Sequence, residues 1–348
     1  MSLLGLWELS IGLAVASLLI MMGLIAARIV SERREGRAAA RRAILLPKLL
    51  SGEADLSHVL RGFASDGQST DLIVELIAMV RGPERDRFVA LASELGARDD
   101  LLRRLSKGSV RLKIGAAEAL SFFPDALATD ALDKALDDDA GEVRLSAALS
   151  LAKSDRAPPI RVLVERLSLT KSENSLLLIS ILQWIASEHP EEVESLLADD
   201  LVDPVVKAAG IDALAALGNF HAAPLINGLA LAADEENEIL ARYLRALGTL
   251  RHPAGKPAAL HYLGSATWWI RAAAAEAAGK IGVTEAIGKL DHLLGDPDWW
   301  VRFRAGEALA QLGTPGIEAL RAAARSLSSD RQEAGALTLA ELGIARDE

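Results

Sequence analysis

Trp268-Trp269-Ile270-Arg271 returns 31 residues later as Trp299-Trp300-Val301-Arg302. The residues after each copy also correspond: Ala274, Ala277-Ala278 and Ile281-Gly282 match Ala305, Ala308-Leu309 and Leu312-Gly313. Self-similarity at such a period restricts a chain to a stack of small units, because one unit alone cannot bury its apolar face. The pattern runs upstream, with second-helix openings at Val110-Arg111, Val143-Arg144 and Val206-Lys207, an apolar residue and then a basic one. From Val301 the inward positions are Ala305, Ala308, Leu309 and Leu312. From Val206 they are Gly210, Ala213, Leu214 and Leu217, and from Val143 they are Ala147, Ser150, Leu151 and Ser154. Each set is one apolar face at helical period, and the small residue four places on lets a neighbouring helix come close. Ser175 to Ile185 and Ile239 to Leu250 keep the face and lose the basic residue.

The turns fit that register. Asp203-Pro204 and Asp296-Pro297 predict a capping carboxylate before a proline at the first helical position. Gly96, Gly218, Gly248, Gly282, Gly313 and Gly343 predict left-handed helix ends, and Ser51-Gly52 an earlier one. Ala and Leu dominate and β-branched residues are sparse, which favours helix over sheet. The spacing therefore predicts an all-α chain, a right-handed α-solenoid of roughly nine helix pairs between Leu45 and the C-terminus. Its domain spans 51–348.

Ahead of it, Leu9 to Ala27 are 19 residues without a charge, close to the roughly 20 that a membrane-spanning helix needs. Arg28, Arg33, Arg34, Arg37, Arg41, Arg42 and Lys48 come next, against Glu32 and Glu35, and no Lys or Arg precedes. Basic residues gather on the cytoplasmic side of a span. The sequence thus predicts one transmembrane helix over 1–30 and a basic juxtamembrane segment over 31–50. The N-terminus would lie outside an inner (plasma) membrane and the solenoid in the cytoplasm. Trp7 reads as an interfacial anchor. The rival is a cleaved signal peptide and an extracytoplasmic scaffold, but signal peptides carry their charge before the apolar region. The whole chain has a net charge of −10, with +5 in residues 28–48 and −1 at Glu8, leaving −14 for residues 49–348. A body that acidic repels nucleic acid, while the basic collar is drawn to the bilayer.

Reactive constellations are missing from the sequence. Without cysteine there is no disulfide or thiolate metal site. His58, His189, His221, His252, His261 and His292 form no helical metal pair, and the couples His221/His252 and His261/His292 are spaced by 31, the repeat period itself. No catalytic, cofactor-binding or metal residue is assigned. Asp137-Asp138-Asp139 and Asp199-Asp200 read as turn caps and solvated surface. Arg111, Arg144, Arg271 and Arg302 share a register and should bond the acidic turn of an adjacent repeat. Trp184 reads as core.

Trp268, Trp269, Trp299 and Trp300 do not fit the folding pattern. Ile270 and Val301 hold the inward slot, so each Trp pair begins its helix on another azimuth. Equivalent residues elsewhere, Gly141-Glu142, Pro204-Val205 and Ser109, are mostly small or polar, as on an accessible rim. Adjacent helical residues rarely share a face, so at least one Trp of each pair is expected at the surface. Large aromatics there are favoured anchors for a partner.

The run Asp296-Pro297-Asp298-Trp299-Trp300-Val301-Arg302 through Leu312-Gly313 resembles HEAT repeats, and most nearly the short bacterial type first noted in phycobilisome lyases. The resemblance is closest over 200–343, looser over 84–199 and weakest over 45–83. It implies architecture and does not bring lyase chemistry with it. The chain is similar to membrane-anchored bacterial HEAT proteins with double-Trp repeats associated with membrane glycosyltransferases of surface polysaccharide synthesis. That similarity implies an accessory subunit of such a complex. The expectation is a membrane-anchored cytoplasmic scaffold, not an enzyme and without cofactor. It would bind a membrane-associated partner protein on its concave face or Trp rim and meet the lipid bilayer through its N-terminal helix. The alternative is a HEAT-like lyase-type enzyme, which needs His, Tyr or acidic residues to converge, with Tyr243 and Tyr262 the only tyrosines.

Overall fold

A computed structural model describes residues 21–22, 68–167 and 175–344. Apart from Met21 and Met22, the segments expected over 1–30 and 31–50 lie outside these residues, with Trp7, Arg28, Arg33, Arg34, Arg37, Arg41 and Arg42. Lys48, Ser51-Gly52 and His58 also lie outside them. Among the described residues there are eighteen α-helices and no strand, and no helix is long and apolar enough to cross a membrane. The chain divides into two compact units, residues 1–107 and 108–348.

In the first unit, α1 (Gln68–Met79), α2 (Pro83–Glu94) and α3 (Ala97–Lys107) pack on one another. Ile73, Ile77, Phe88, Ala92, Leu101 and Leu105 form their shared core. Gly96, at φ +78°, turns the chain from α2 into α3 as expected. Arg104 joins Asp71 of α1 to Asp100 of its own helix.

The second unit opens with α4 (Val110–Leu120) and continues as seven helix pairs. These are α5 (Ala126–Ala135) with α6 (Gly141–Lys153), α7 (Ile160–Leu167) with α8 (Ser175–Glu188), and α9 (Pro190–Leu197) with α10 (Pro204–Ala216). Next come α11 (Ala223–Ala232) with α12 (Leu240–Leu250), and α13 (Lys256–Tyr262) with α14 (Trp268–Ile281). The last are α15 (Ile287–Leu293) with α16 (Trp299–Gln311), and α17 (Thr314–Ala323) with α18 (Ser329–Glu341). Each second helix packs on the second helix before and after it, and first helices form the other layer. Turns from first to second helix therefore share one edge of the unit, and return turns share the opposite edge.

The repeat pattern explains the packing. Ile270, Ala274, Ala277 and Ala278 of α14 are fully buried, and so are Val301, Ala305, Ala308 and Leu309 of α16. Small residues set the spacing between second helices. A Cβ on Gly248 of α12 would meet Ala277 Cα at 3.0 Å and Lys280 Cδ at 3.4 Å. One on Gly279 of α14 would meet Ala308 Cα at 2.6 Å and Gln311 Oε1 at 3.1 Å. The two contacts are one period apart, residue for residue.

That contact corrects the expected role of Gly248, which lies inside α12 and is not a left-handed cap. The chain runs on to Leu250, and Arg251, at φ +52°, closes the helix instead. Gly218, Gly282, Gly313 and Gly343 do take positive φ. Asp203 caps α10 by accepting the Val205 N–H at 2.8 Å, with Pro204 at the first position as expected. Asp296-Pro297 does not repeat this, because a second carboxylate, Asp298, caps α16 and leaves Pro297 outside the helix. Leu217 is exposed, since α10 ends at Ala216 before the inward position recurs. Val110 is exposed as well, because the apolar face of α4 is carried by Ala116, Ala117, Ala119 and Leu120 further along.

Candidate functional site

The turns that lead into second helices are built alike. A side-chain oxygen accepts the N–H two residues on: Asp138 from Ala140, Asn237 from Ile239, Ser265 from Thr267 and Asp296 from Asp298, at 2.9–3.1 Å. Six residues after Asp138, Ser265 and Asp296 stands an arginine that binds the turn's carbonyls. Arg144 reaches Asp138 O and Asp139 O, Arg271 reaches Ser265 O and Ala266 O, and Arg302 reaches Asp296 O and Pro297 O, at 2.8–3.3 Å. These carbonyls lie at a helix N-terminus without a backbone donor, so a fixed guanidinium supplies what the turn lacks.

Cations of second helices also tie one repeat to the next, among them Arg144, whose Nε donates to Leu167 O at 3.1 Å. Arg271 grips the Asp296 carboxylate with Nε and Nη2 at 2.8 and 2.9 Å, and both side chains are nearly buried. Lys113 bonds Asp138 at 2.5 Å across the same 25-residue interval. The expected bond to an adjacent acidic turn is thus present at Arg271, but Arg111 has no part in it. It is exposed, and Lys113, two residues on, occupies the position facing the turn. Lys207 is buried with Asp200 at 3.9 Å.

The acidic runs divide between structure and surface. Burial pushes the Asp138 carboxyl up, but the Lys113 bond, the Ala140 N–H and the charges of Lys113 and Arg144 together hold it below the usual carboxylate value. The bond from Arg166 lowers Asp137 in the same way, and the Lys256 bond lowers Glu285. Burial, followed by nearby carboxylates, raises the phenols of Tyr243 and Tyr262, and the Tyr262 hydroxyl donates to Ala230 O at 2.7 Å.

Trp268, Trp269, Trp299 and Trp300 open α14 and α16 on the edge formed by these turns. All four are exposed, by 40, 53, 48 and 49%. Ile270 and Val301, wholly buried, fix the azimuth and turn the preceding two residues outward. Within each pair the rings meet edge to face, at centroid distances of 5.7 Å for Trp268–Trp269 and 4.8 Å for Trp299–Trp300. Sequence reasoning missed Phe303, whose ring stacks on Trp299 at 5.2 Å and 12°. Its i+4 spacing from Trp299 was the available signal. Trp184 is exposed by 45%, contrary to its expected place in the core. Leu178, Ile181, Leu182 and Ile185 take the buried stripe of α8 and leave Trp184 outside it.

The two edges of the second unit differ in charge. Turns into second helices carry Asp137–Asp139, Asp199, Asp200 and Asp203, Asp234–Glu236 and Glu238, and Asp296 and Asp298. Arg325 is the one cation among the described residues of these turns. The return turns hold Asp125, Asp155 and Glu285 beside Arg156, Arg251, His189, His221 and His252. His252 Nδ1 accepts the Ala254 N–H at 3.2 Å, a capping role. His261 lies edge-on to the Tyr262 ring in α13, away from that turn. Among the described residues no group of three or more His, Asp or Glu is placed to hold a metal ion.

Residues 222–294 and 268–340 each match the family model of HEAT repeats. No curated protein matches the chain. Among solved structures, Kap121p is similar at 12% identity and a TM-score of 0.51, over 87% of this chain and 39% of that one. The karyopherin Kap121p bound to the extreme C-terminus of the protein phosphatase Cdc14p gives 13% and 0.51, over 86% and 39%. An engineered protein gives 21% identity and a TM-score of 0.39, over 88% and 91%. The chain thus spans about two fifths of the karyopherin chains it matches, and at these identities the likeness is one of fold. The architecture is a HEAT-repeat, solenoid-like stack of helices.

Proposed function

We propose that this chain is a scaffold that holds a partner protein on the edge formed by Trp268, Trp269, Trp299 and Trp300. The observation that carries this is the exposure of all four indoles at the same two register positions of adjacent repeats, where other repeats have mostly small or polar residues. Half-exposed aromatics in a row cost solubility. A partner that covers them gains the contact area typical of binding hot spots. Solved solenoids of similar fold include Kap121p bound to the Cdc14p C-terminus and to Nup53p, which supports a binding role for such an array.

In this reading Leu9 to Ala27 anchor the chain in the inner membrane, the basic residues from Arg28 to Arg42 lie at the cytoplasmic leaflet, and the solenoid projects into the cytoplasm. The support is the charge asymmetry about the apolar stretch. The partner sought first is a membrane glycosyltransferase of polysaccharide synthesis, on the strength of the double-Trp resemblance. The test is co-purification in mild detergent from cells carrying wild type or the fourfold Trp→Ala variant. The variant should lose the partner while keeping its helical content and melting temperature. Equal recovery from both would overturn the site, and absence of a glycosyltransferase from the wild-type complex would overturn that choice of partner.

A further inference from the structure

We propose that the segment docking on this edge is cationic, and that the notch between α16 and α18 receives one of its Lys or Arg side chains. This rests on the scaffold reading and says what its partner must present.

The notch lies beside Trp299. Its α16 wall is Trp299, Arg302 and Phe303, and its α18 wall is Asp330, Glu333 and Leu337. One wall is therefore a stacked aromatic pair and the other bears two carboxylates, the combination that stabilises a cation by ring quadrupole and charge together. Asp330 and Glu333 are exposed and engage no ion pair or hydrogen bond among the described residues. Two cations already stand close by: Arg302 is held by Asp296 O and Pro297 O, and Arg304, 5.7 Å from the centroid of the Phe303 ring, pairs with Glu307 and Glu276, so neither engages Asp330 or Glu333. A volume of about 30 Å³ admits the head of a side chain and excludes a small-molecule ligand.

The surroundings favour the same occupant. The position of Trp269 and Trp300 is held by Glu238 in the repeat before and by Asp330 in the repeat after, so carboxylates bracket the indoles at their own register. Both are exposed. An acidic or neutral apolar segment laid along the Trp rungs would have to cover these charges unpaired, whereas a basic one neutralises them. A glycan would want flat, open ring faces. Here the indoles meet edge to face and Trp299 has one face covered by Phe303.

The test uses the full chain in detergent and fluorescein-labelled Gly/Ser-spaced dodecapeptides bearing four Arg, four Lys, four citrulline or four Glu residues, read by anisotropy. Arg and Lys peptides should bind, and citrulline, nearly isosteric with Arg but neutral, should not. Asp330→Asn with Glu333→Gln should weaken the Arg peptide about five- to tenfold, the scale of two partly exposed charge contacts. Removing the same charge elsewhere, with Glu118→Gln and Asp130→Asn, should leave affinity unchanged. Equal weakening by both double variants, equal binding of citrulline peptide, or binding of neutral oligosaccharides in place of peptides overturns the inference. A partner that co-purifies with the Asp330/Glu333 variant as with wild type, yet is lost from the fourfold Trp variant, overturns it too and leaves the scaffold reading standing. Retention by the fourfold Trp variant removes the scaffold site itself.

Discussion

Gly279→Ala and Gly228→Ala are the same chemical change in two helices, and the structure assigns them opposite signs. Each adds a methyl group and removes the conformational freedom that glycine keeps in the unfolded chain, a gain of about 0.5–1 kcal/mol in a helix interior. At Gly228, in the exposed face of α11, the new Cβ has nothing within 4 Å and the gain stands. At Gly279 it would lie 2.6 Å from Ala308 Cα and 2.9 Å from Ala308 Cβ. The first of these is backbone, so relief requires α14 and α16 to move apart by roughly 1 Å, and overpacking of this kind costs about 1–3 kcal/mol. The net expectation is a loss of about 1–2 kcal/mol, or roughly 2–8 °C in Tm for a unit of this size, against a rise of about 1–4 °C for Gly228→Ala. Urea denaturation followed by circular dichroism at 222 nm measures both. Adding Ala308→Gly to Gly279→Ala should rescue only in part, because the closer atom, Cα, remains. If Gly279→Ala stabilises as Gly228→Ala does, the claimed close packing of second helices is wrong.

Other expectations rest on single contacts. Arg271→Ala strands the nearly buried Asp296 carboxylate and should cost about 3–5 kcal/mol, whereas Arg111→Ala, at an exposed site, should stay within about 0.5 kcal/mol in the same denaturation assay. Asp298→Ala removes the cap of α16 and should cost about 1 kcal/mol. Asp138 is held below its usual value by Lys113, Ala140 N–H and Arg144 against the opposing effect of burial. Its contribution is therefore complete above the ordinary carboxylate pKa and is lost as pH falls through the lowered one. Lys113→Met should flatten this acid limb of the stability profile, and an unchanged limb would refute the assignment.

Much of the fold was written in residue size and spacing. The buried set Val301, Ala305, Ala308 and Leu309 was legible because one azimuth of α16 is apolar and the rest is not. Exposure of at least one Trp in each pair followed from it, since locating Ile270 and Val301 locates their neighbours, but that both indoles of each pair are exposed did not. Where the pattern was ambiguous, sequence could not decide. Residues 176–182 of α8 are apolar almost all round, so apolarity did not say on which side Trp184 falls. Gly248 could end a helix or fit inside one, and the deciding residue, Ala277, lies 29 positions away. Arg111 and Lys113 differ by two places, about 200° around a helix, and only the position of Asp138 selects between them. The notch beside Trp299 depends on Asp330 and Glu333 from the next repeat, a juxtaposition invisible until α18 is placed.

The α12–α14 and α14–α16 joints are one joint made twice, with Gly248, Ala277 and Lys280 in the first and Gly279, Ala308 and Gln311 in the second. A 31-residue segment between them has matching ends, so losing it would bring α12 directly onto α16 through the same glycine–alanine fit, and copying it would demand no new surface. Exchange between stretches that share this register can lengthen or shorten the array without breaking it. Because the duplicated stretch carries its own Trp pair, each such event would also add or remove a pair of exposed indoles. The number of exposed indoles along this edge and the length of the stack are inherited together.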